Sequence, residues 1–266
     1  MQDRRRLFGW GVALTIIAAA GAGASVILSR VIHTVGVGES SLAEALDDLV
    51  AGSAPVQVAF LPHLGQVDVR LTVAGLSRVE AAQRLDVLAR AIEERAGRWT
   101  YGTDSATLPG AIGEALRARG WTVAVAESCT AGELGAELTA VMGSSDYFLG
   151  GIIAYANRVK QEALGVPAAT LEAHGAVSAE VCRAMIEGVR QATGADVGCA
   201  ITGIAGPGGG TAEKPVGLVY CGVGTPEGET LRVTTYPGSR AEIRRRATLA
   251  TLALLLRAAR GEDEPR

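Results

Sequence analysis

Lysine is nearly missing from this chain: Lys160 is the only one before residue 214, in a sequence that carries its positive charge on arginine. Histidine is almost as scarce, with His33, His63 and His174 as the only three, none at metal-ligand spacing. The four cysteines, Cys129, Cys182, Cys199 and Cys221, contain no CxxC pair, so neither a structural zinc nor a disulfide framework organises the fold. Such thiols read as reduced and place the domains on the cytoplasmic side. A net charge of -3 offers no global basic surface, and residues 31–103 contain no GxxG loop, so nucleic acid is not an expected partner. The glycine-rich GIAGPGGGT matches neither the P-loop nor the dinucleotide fingerprint, so no triphosphate or Rossmann cofactor follows from it, and no cofactor is expected.

What the chain does have is 48% hydrophobic residues over 266 positions, enough for two cored domains. Its organising stretch is residues 121–132, WTVAVAESCTAG: a buried β-branched strand, a polar turn, then a helix expected over residues 132–142. In open parallel α/β sheets ligands gather beyond the carboxyl ends of strands, where a helix N-terminus also presents unpaired N–H groups. Ser128 stands where a nucleophile would stand. The competing reading is a helix cap, since serine there accepts a bond from the first turn.

The N-terminus reads two ways. Arg4, Arg5 and Arg6 precede an uncharged run over residues 7–28, long enough to span a bilayer with its domains on the cytoplasmic side. The run is also Ala- and Gly-rich, and its end, residues 26–32, equally fits a strand of the following domain; a cleaved secretory signal is the third reading. Beyond it, Ser40 or Ser41 caps a helix ending at Gly52, two strands meet around residues 62–65, Ser77 caps an amphipathic helix, and RWTYG closes the unit. This partition gives an apolar leader over 1–25, a small α+β domain over 26–103, a larger domain over 104–260 and a disordered tail over 261–266.

In the larger domain, Thr107 and Ser178 cap helices that Gly120 and Gly194 end, and alternating βα units finish in a hairpin and a helix from Arg240 to about Arg260. The expectation is a three-layer α/β/α sandwich with a mixed sheet. Three loops follow strands and would meet at one sheet edge: residues 127–132, 155–160 and 202–211. They bring a hydroxyl, then Tyr155, Asn157 and Lys160, then close backbone approach. A serine needs a group to take its proton, and a lysine with a burial-lowered pKa serves where no histidine stands nearby. The bland reading of Lys160 is a solvated side chain. The glycine loop is either an N–H nest for a phosphate or oxyanion, or only a tight connection. Cys129 with His174 as base is a lesser alternative.

The segments AESCTAG, AYANRVKQEALGV, HGAVSAEV and TGIAGPGGGTAEKPVGLV, in this order and spacing, resemble the CinA C-terminal family, the nicotinamide-nucleotide amidases also called PncC. The resemblance covers residues 104–260. The preceding SRVIHTVGVGES through RWTYGTD resembles the KH-like domain of full-length CinA proteins. The large molybdopterin-binding-like N-terminal domain of those proteins, linked to ADP-ribose pyrophosphatase activity, finds no counterpart in this sequence.

The resemblance implies hydrolysis of the carboxamide of nicotinamide mononucleotide to nicotinic acid mononucleotide and ammonia, without a metal. Carried over by motif, Ser128 is the nucleophile, Lys160 the general base and Tyr155 a partner in the proton relay. Thr130 serves the oxyanion with nearby backbone N–H groups, and Asn157, Thr202, Gly203, Gly206, Gly208 and Arg240 line the nucleotide pocket. A homodimer is implied by the family alone. Two positions depart from its pattern: Ala131 stands where SCTGG has its first glycine, and Gly238, Ser239, Arg240 replace GDR. The alternative is a non-catalytic CinA-like binding or scaffold protein linked to competence or DNA repair, tethered at a membrane if residues 7–28 span one.

Overall fold

The computed structural model describes residues 25–262. The smaller unit runs β1 (Val26–Val35), α1 (Glu39–Ala51), β2 (Gln57–His63), β3 (Gln66–Leu76), α2 (Arg78–Ala96) and β4 (Thr100–Thr103). Its sheet has the order β2-β3-β1-β4 with every pairing antiparallel. On β3 the alternate residues Val67, Val69, Leu71 and Val73 are buried, which is the period-2 pattern of a sheet with one covered face. Leu42 and Leu46 of α1 and Leu85, Ala89 and Ile92 of α2 cover it. His63 pairs with Gln66 across a two-residue turn whose Gly65 has φ 77, a conformation the tight hairpin requires. Ser77 caps α2 in a full capping box with Glu80.

The larger unit runs α3 (Leu108–Arg119), β5 (Val123–Glu127), α4 (Glu133–Leu138), β6 (Phe148–Ile153), α5 (Asn157–Leu164), α6 (Ala168–His174), α7 (Ala179–Thr193), β7 (Val197–Gly203), β8 (Leu218–Thr225), β9 (Gly228–Thr235) and α8 (Arg240–Arg260). The sheet order is β6-β5-β7-β8-β9, parallel across β6, β5 and β7 and antiparallel beyond. Successive residues of β5 feed opposite cores. Val123 and Val125 join α3, α4 and α8, whereas Ala124 and Ala126 join α5, α6 and α7. That split is the three-layer sandwich with a mixed sheet.

Helix α8 ties the two units together. Its apolar residues are spread round the whole helix, so it is buried on more than one side. A Cβ placed on Gly65 would meet Leu249 at 2.9 Å, and one on Gly36 would meet Ala253 at 3.3 Å, so both turns of the small unit press on this helix. Arg260 Nη1 also donates to Thr100 O at 2.8 Å.

Three expectations change. Helix α1 starts at Glu39 with Gly38 as its N-cap and no side-chain cap, so neither Ser40 nor Ser41 plays that part. The helix expected over 132–142 spans only Glu133–Leu138, where the Thr139 hydroxyl bonds back to the carbonyls of Gly135 and Ala136. Residues 157–160 are the first turn of α5 rather than a loop. Helices α5 and α6 are eight and seven residues long, too short to leave a readable apolar period. Residues 26–28 of the apolar run pair with β3 as strand, which is the strand reading of the run's end. The leader up to residue 24 and residues 263–266 of the tail lie outside the described residues, among which no helix is long and apolar enough to cross a membrane.

Candidate functional site

The site grows from the carboxyl end of β5, the strand flanked on both sides by parallel neighbours. Two backbone bonds extend the ladder past it: Ala154 N donates to Glu127 O at 2.7 Å, and Ser128 N donates to Ile201 O at 3.0 Å. Ser128 is therefore fixed by β7 on one side while β6 delivers the chain into α5 on the other. Lys160, in the first turn of α5, points back under β6 and is 1% exposed. Its Nζ lies 3.1 Å from Ser128 Oγ, 2.7 Å from Ala154 O and 3.3 Å from Tyr155 O.

Carbonyl oxygens only accept, so two N–H bonds of Lys160 point at Ala154 O and Tyr155 O. A neutral amine has two N–H bonds and one lone pair, and the remaining direction faces the Ser128 hydroxyl. Burial pushes the Lys160 pKa below its ordinary 10.5, and no carboxylate forms an ion pair with it among the described residues to reverse that shift. Desolvation favours an amine ready to take a proton, and the geometry puts the Ser128 hydroxyl within its reach.

The capping reading of Ser128 does not hold. Helix α4 has Gly132 as its N-cap, and its free N–H groups are taken by the Glu127 carboxylate: Oε2 accepts from Gly132 N at 3.0 Å and Leu134 N at 3.1 Å, and Oε1 from Gly135 N at 2.9 Å. The helix N-terminus expected to await a ligand is satisfied internally. By contrast, no acceptor among the described residues takes the N–H groups of Cys129, Thr130 or Ala131. Thr130 Oγ1 is buried and also without a partner there. These are the donors beside Ser128 that no described residue satisfies. Ala131 has φ 51, a left-handed conformation that costs an L-residue about 1 kcal/mol relative to glycine.

A second knot lies beside the first. Arg240, the first residue of α8, donates from Nη2 to Tyr155 Oη at 2.9 Å and from Nη1 to Gly206 O at 2.8 Å. The side chain joins the end of β6 to the glycine loop, where Gly206 has φ 75. The Tyr155 hydroxyl thus bonds to Arg240, and it is the Tyr155 carbonyl that meets Lys160. Thr202 is buried and donates to Ala176 O at 2.7 Å, anchoring the loop to the HGAVSAEV segment. Lys214 strengthens the same seam, donating to His174 O and Val177 O at 2.5 and 2.7 Å. At Gly203 a Cβ would come 2.8 Å from Leu218 O, so that glycine serves close strand approach. Asn157 and Gly208 are exposed and drawn into neither knot.

Cys129 is buried, and desolvation pushes its thiol up to about 11, leaving it protonated near neutral pH. His174 sits 3.7 Å from Glu180 on the exposed end of α6, paired there rather than with Cys129. Sequence reasoning missed Glu127, whose signal was an acidic residue closing an otherwise apolar strand, and it missed Lys214.

A buried serine and lysine meeting at the carboxyl edge of a three-layer α/β/α sheet define the class of protein this is. The comparisons place it more closely. Residues 105–259 match the model of the CinA C-terminal domain, and residues 29–102 match that of the damage-inducible protein CinA KH domain. The chain belongs to the CinA family. It is 50% identical over 216 residues to a CinA-like protein of a Synechococcus species, covering 81% of this chain and 51% of that protein. It is 48% identical over 234 residues to a CinA-like protein of Gemmatimonas aurantiaca, covering 88% of this chain and 54% of that protein. The chain thus spans about half the length of these relatives. Among solved structures, the competence/damage inducible protein CihA from Agrobacterium tumefaciens superposes with a TM-score of 0.56 at 37% identity, covering 57% of this chain and 93% of that one.

Proposed function

We propose that the chain hydrolyses the carboxamide of nicotinamide mononucleotide, releasing ammonia and nicotinic acid mononucleotide. The observation that carries this reading is the Lys160 amine, whose two N–H bonds are occupied by carbonyls while its third direction meets Ser128 Oγ at 3.1 Å. The substrate comes from the resemblance of the four motifs to the PncC-type amidases.

The chemistry follows from the geometry. Ser128 Oγ attacks the carboxamide carbon as its proton passes to Lys160 Nζ. The oxyanion is met by N–H groups of residues 129–131 and the Thr130 hydroxyl. Lys160 then returns the proton to the departing nitrogen, so ammonia leaves and an ester to Ser128 remains. Water attacks that ester with Lys160 again as base, restoring Ser128 and freeing the carboxylate. Arg240, whose guanidinium is bonded to the glycine loop at Gly206 O, receives the nucleotide phosphate.

The test is ammonia release from nicotinamide mononucleotide by the whole chain, with a chelator throughout and with Ser128→Ala and Lys160→Ala alongside. Turnover that resists chelation and falls at least ~10³-fold in both variants is the expected result. Activity persisting without Ser128 overturns the mechanism. Nucleotide binding without turnover in the wild type moves the chain to the scaffold reading.

A further inference from the structure

We propose that Glu127 is a positioning residue, whose buried carboxylate holds the turn from Ser128 to Gly135 in the shape that aims Ser128 Oγ at Lys160. It spends the N-terminus of α4 on this task, so that no substrate anion can use it. The inference goes beyond the proposed reaction and rests on it only for the turnover readout.

The carboxylate is 1% exposed and sits at the last position of β5, immediately before Ser128. Its own backbone is pinned, since Glu127 O accepts from Ala154 N. From that fixed point both oxygens reach forward to Gly132, Leu134 and Gly135, five to eight residues on. A loop closed on itself by three charge-assisted bonds has little freedom left. Within it, Ala131 adopts φ 51, which an alanine does not hold unless its surroundings enforce it. Within the same closed turn, none of the described residues accepts from the N–H groups of residues 129–131. The carboxylate also borders a cavity of about 230 Å³ lined by Val125, Phe148, Gly151 and Ile153, a largely apolar surround in which an unpaired carboxylate oxygen would be costly.

Chemistry distinguishes this role from plain packing. Glutamine has the same shape, but its NH2 end can only donate, so the N–H groups that one carboxylate oxygen accepts from would face a second donor. Aspartate keeps the charge with one methylene less reach. The experiment compares the wild-type chain with Glu127→Gln and Glu127→Asp in three readouts. These are the rate at which an alkyl fluorophosphonate labels Ser128, the kcat and KM for nicotinamide mononucleotide, and amide exchange at Gly132, Leu134 and Gly135.

The expected result for Glu127→Gln is labelling and kcat both reduced at least ~10-fold, KM within about threefold, and faster exchange at the three amides, with Glu127→Asp in between. Unchanged labelling beside faster exchange overturns the proposal, because the turn would then be loosened without consequence for Ser128. A large rise in KM at constant kcat overturns it too, placing Glu127 against substrate. If Glu127→Gln does not fold, Glu127→Asp decides by the same criteria. A wild type that is labelled but releases no ammonia refutes the proposed reaction while leaving Glu127 to be judged on labelling. A wild type that is not labelled has no competent serine to position, and the proposal falls.

Discussion

Ser128 and Lys160 stand 32 residues apart in the chain and 3.1 Å apart at their side-chain tips, with both side chains almost wholly out of water. Three consecutive pieces of ordinary structure produce that contact: the end of one central strand, the edge strand parallel to it, and the first turn of the helix the edge strand runs into. The lysine is not ion-paired among the described residues but held by the two carbonyls preceding its own helix.

The first prediction concerns pH. The neutral amine is the base, so kcat/KM rises as pH rises through the Lys160 pKa, with a midpoint below the ordinary 10.5 because burial disfavours the charge. Lys160→Arg keeps a long cationic side chain but cannot lose its proton near neutrality. It should be inactive at every pH tested by ammonia release between pH 6 and 10.

Stability carries the opposite face of the same shift. Below the lowered folded-state pKa both states hold the proton, and the folded state bears the whole cost of burying it. Between that pKa and 10.5 the unfolded chain binds more protons, so stability rises with pH; above 10.5 the cost is gone. A Lys160→Met chain, freed of the titration, should therefore gain most over the wild type at low pH. The gain should shrink toward pH 10, read from urea midpoints, on top of a constant loss from the two carbonyls left unpaired.

Ala131 offers a change that should stabilise. Glycine takes φ 51 without steric cost, so Ala131→Gly should raise stability by about 0.5–1 kcal/mol, equivalent to ~1–4 °C in Tm by calorimetry. Activity should hold or rise. A drop in Tm would mean that the flexibility added to the unfolded chain outweighs the strain relieved.

Arg240 should separate binding from chemistry. Removing its guanidinium in Arg240→Ala unties Tyr155 from Gly206 and takes away the cation set for the phosphate. KM for nicotinamide mononucleotide should rise ~10-fold, about 1.4 kcal/mol, with kcat changing far less. Turnover of the riboside, which lacks the phosphate, should be nearly indifferent to the substitution.

Much of this was readable before any coordinates. The strands alternate or run apolar as their burial demands, Ser77, Thr107 and Ser178 cap the helices assigned to them, and Gly120 and Gly194 end helices in the left-handed conformation. The lone early lysine beside a polar turn pointed to a pair that the fold brings to 3.1 Å. Short elements were not readable: α5 leaves only Lys160 and Leu164 fully buried, and a buried lysine looks like a solvated one in a string of letters.

By itself the sequence determined the longer elements, the layers and the candidate reacting groups, because apolar period, caps and turn residues act over neighbouring positions. Tertiary structure alone decided their state. Ser128 is a candidate nucleophile rather than a cap because Glu127 reaches the α4 N–H groups first. Lys160 is a candidate base rather than a surface charge because α5 folds under β6 and removes it from water. Tyr155 bonds to Arg240 because α8 begins beside the glycine loop. Each outcome depends on competition among groups far apart in the chain, which folding alone brings within hydrogen-bonding reach.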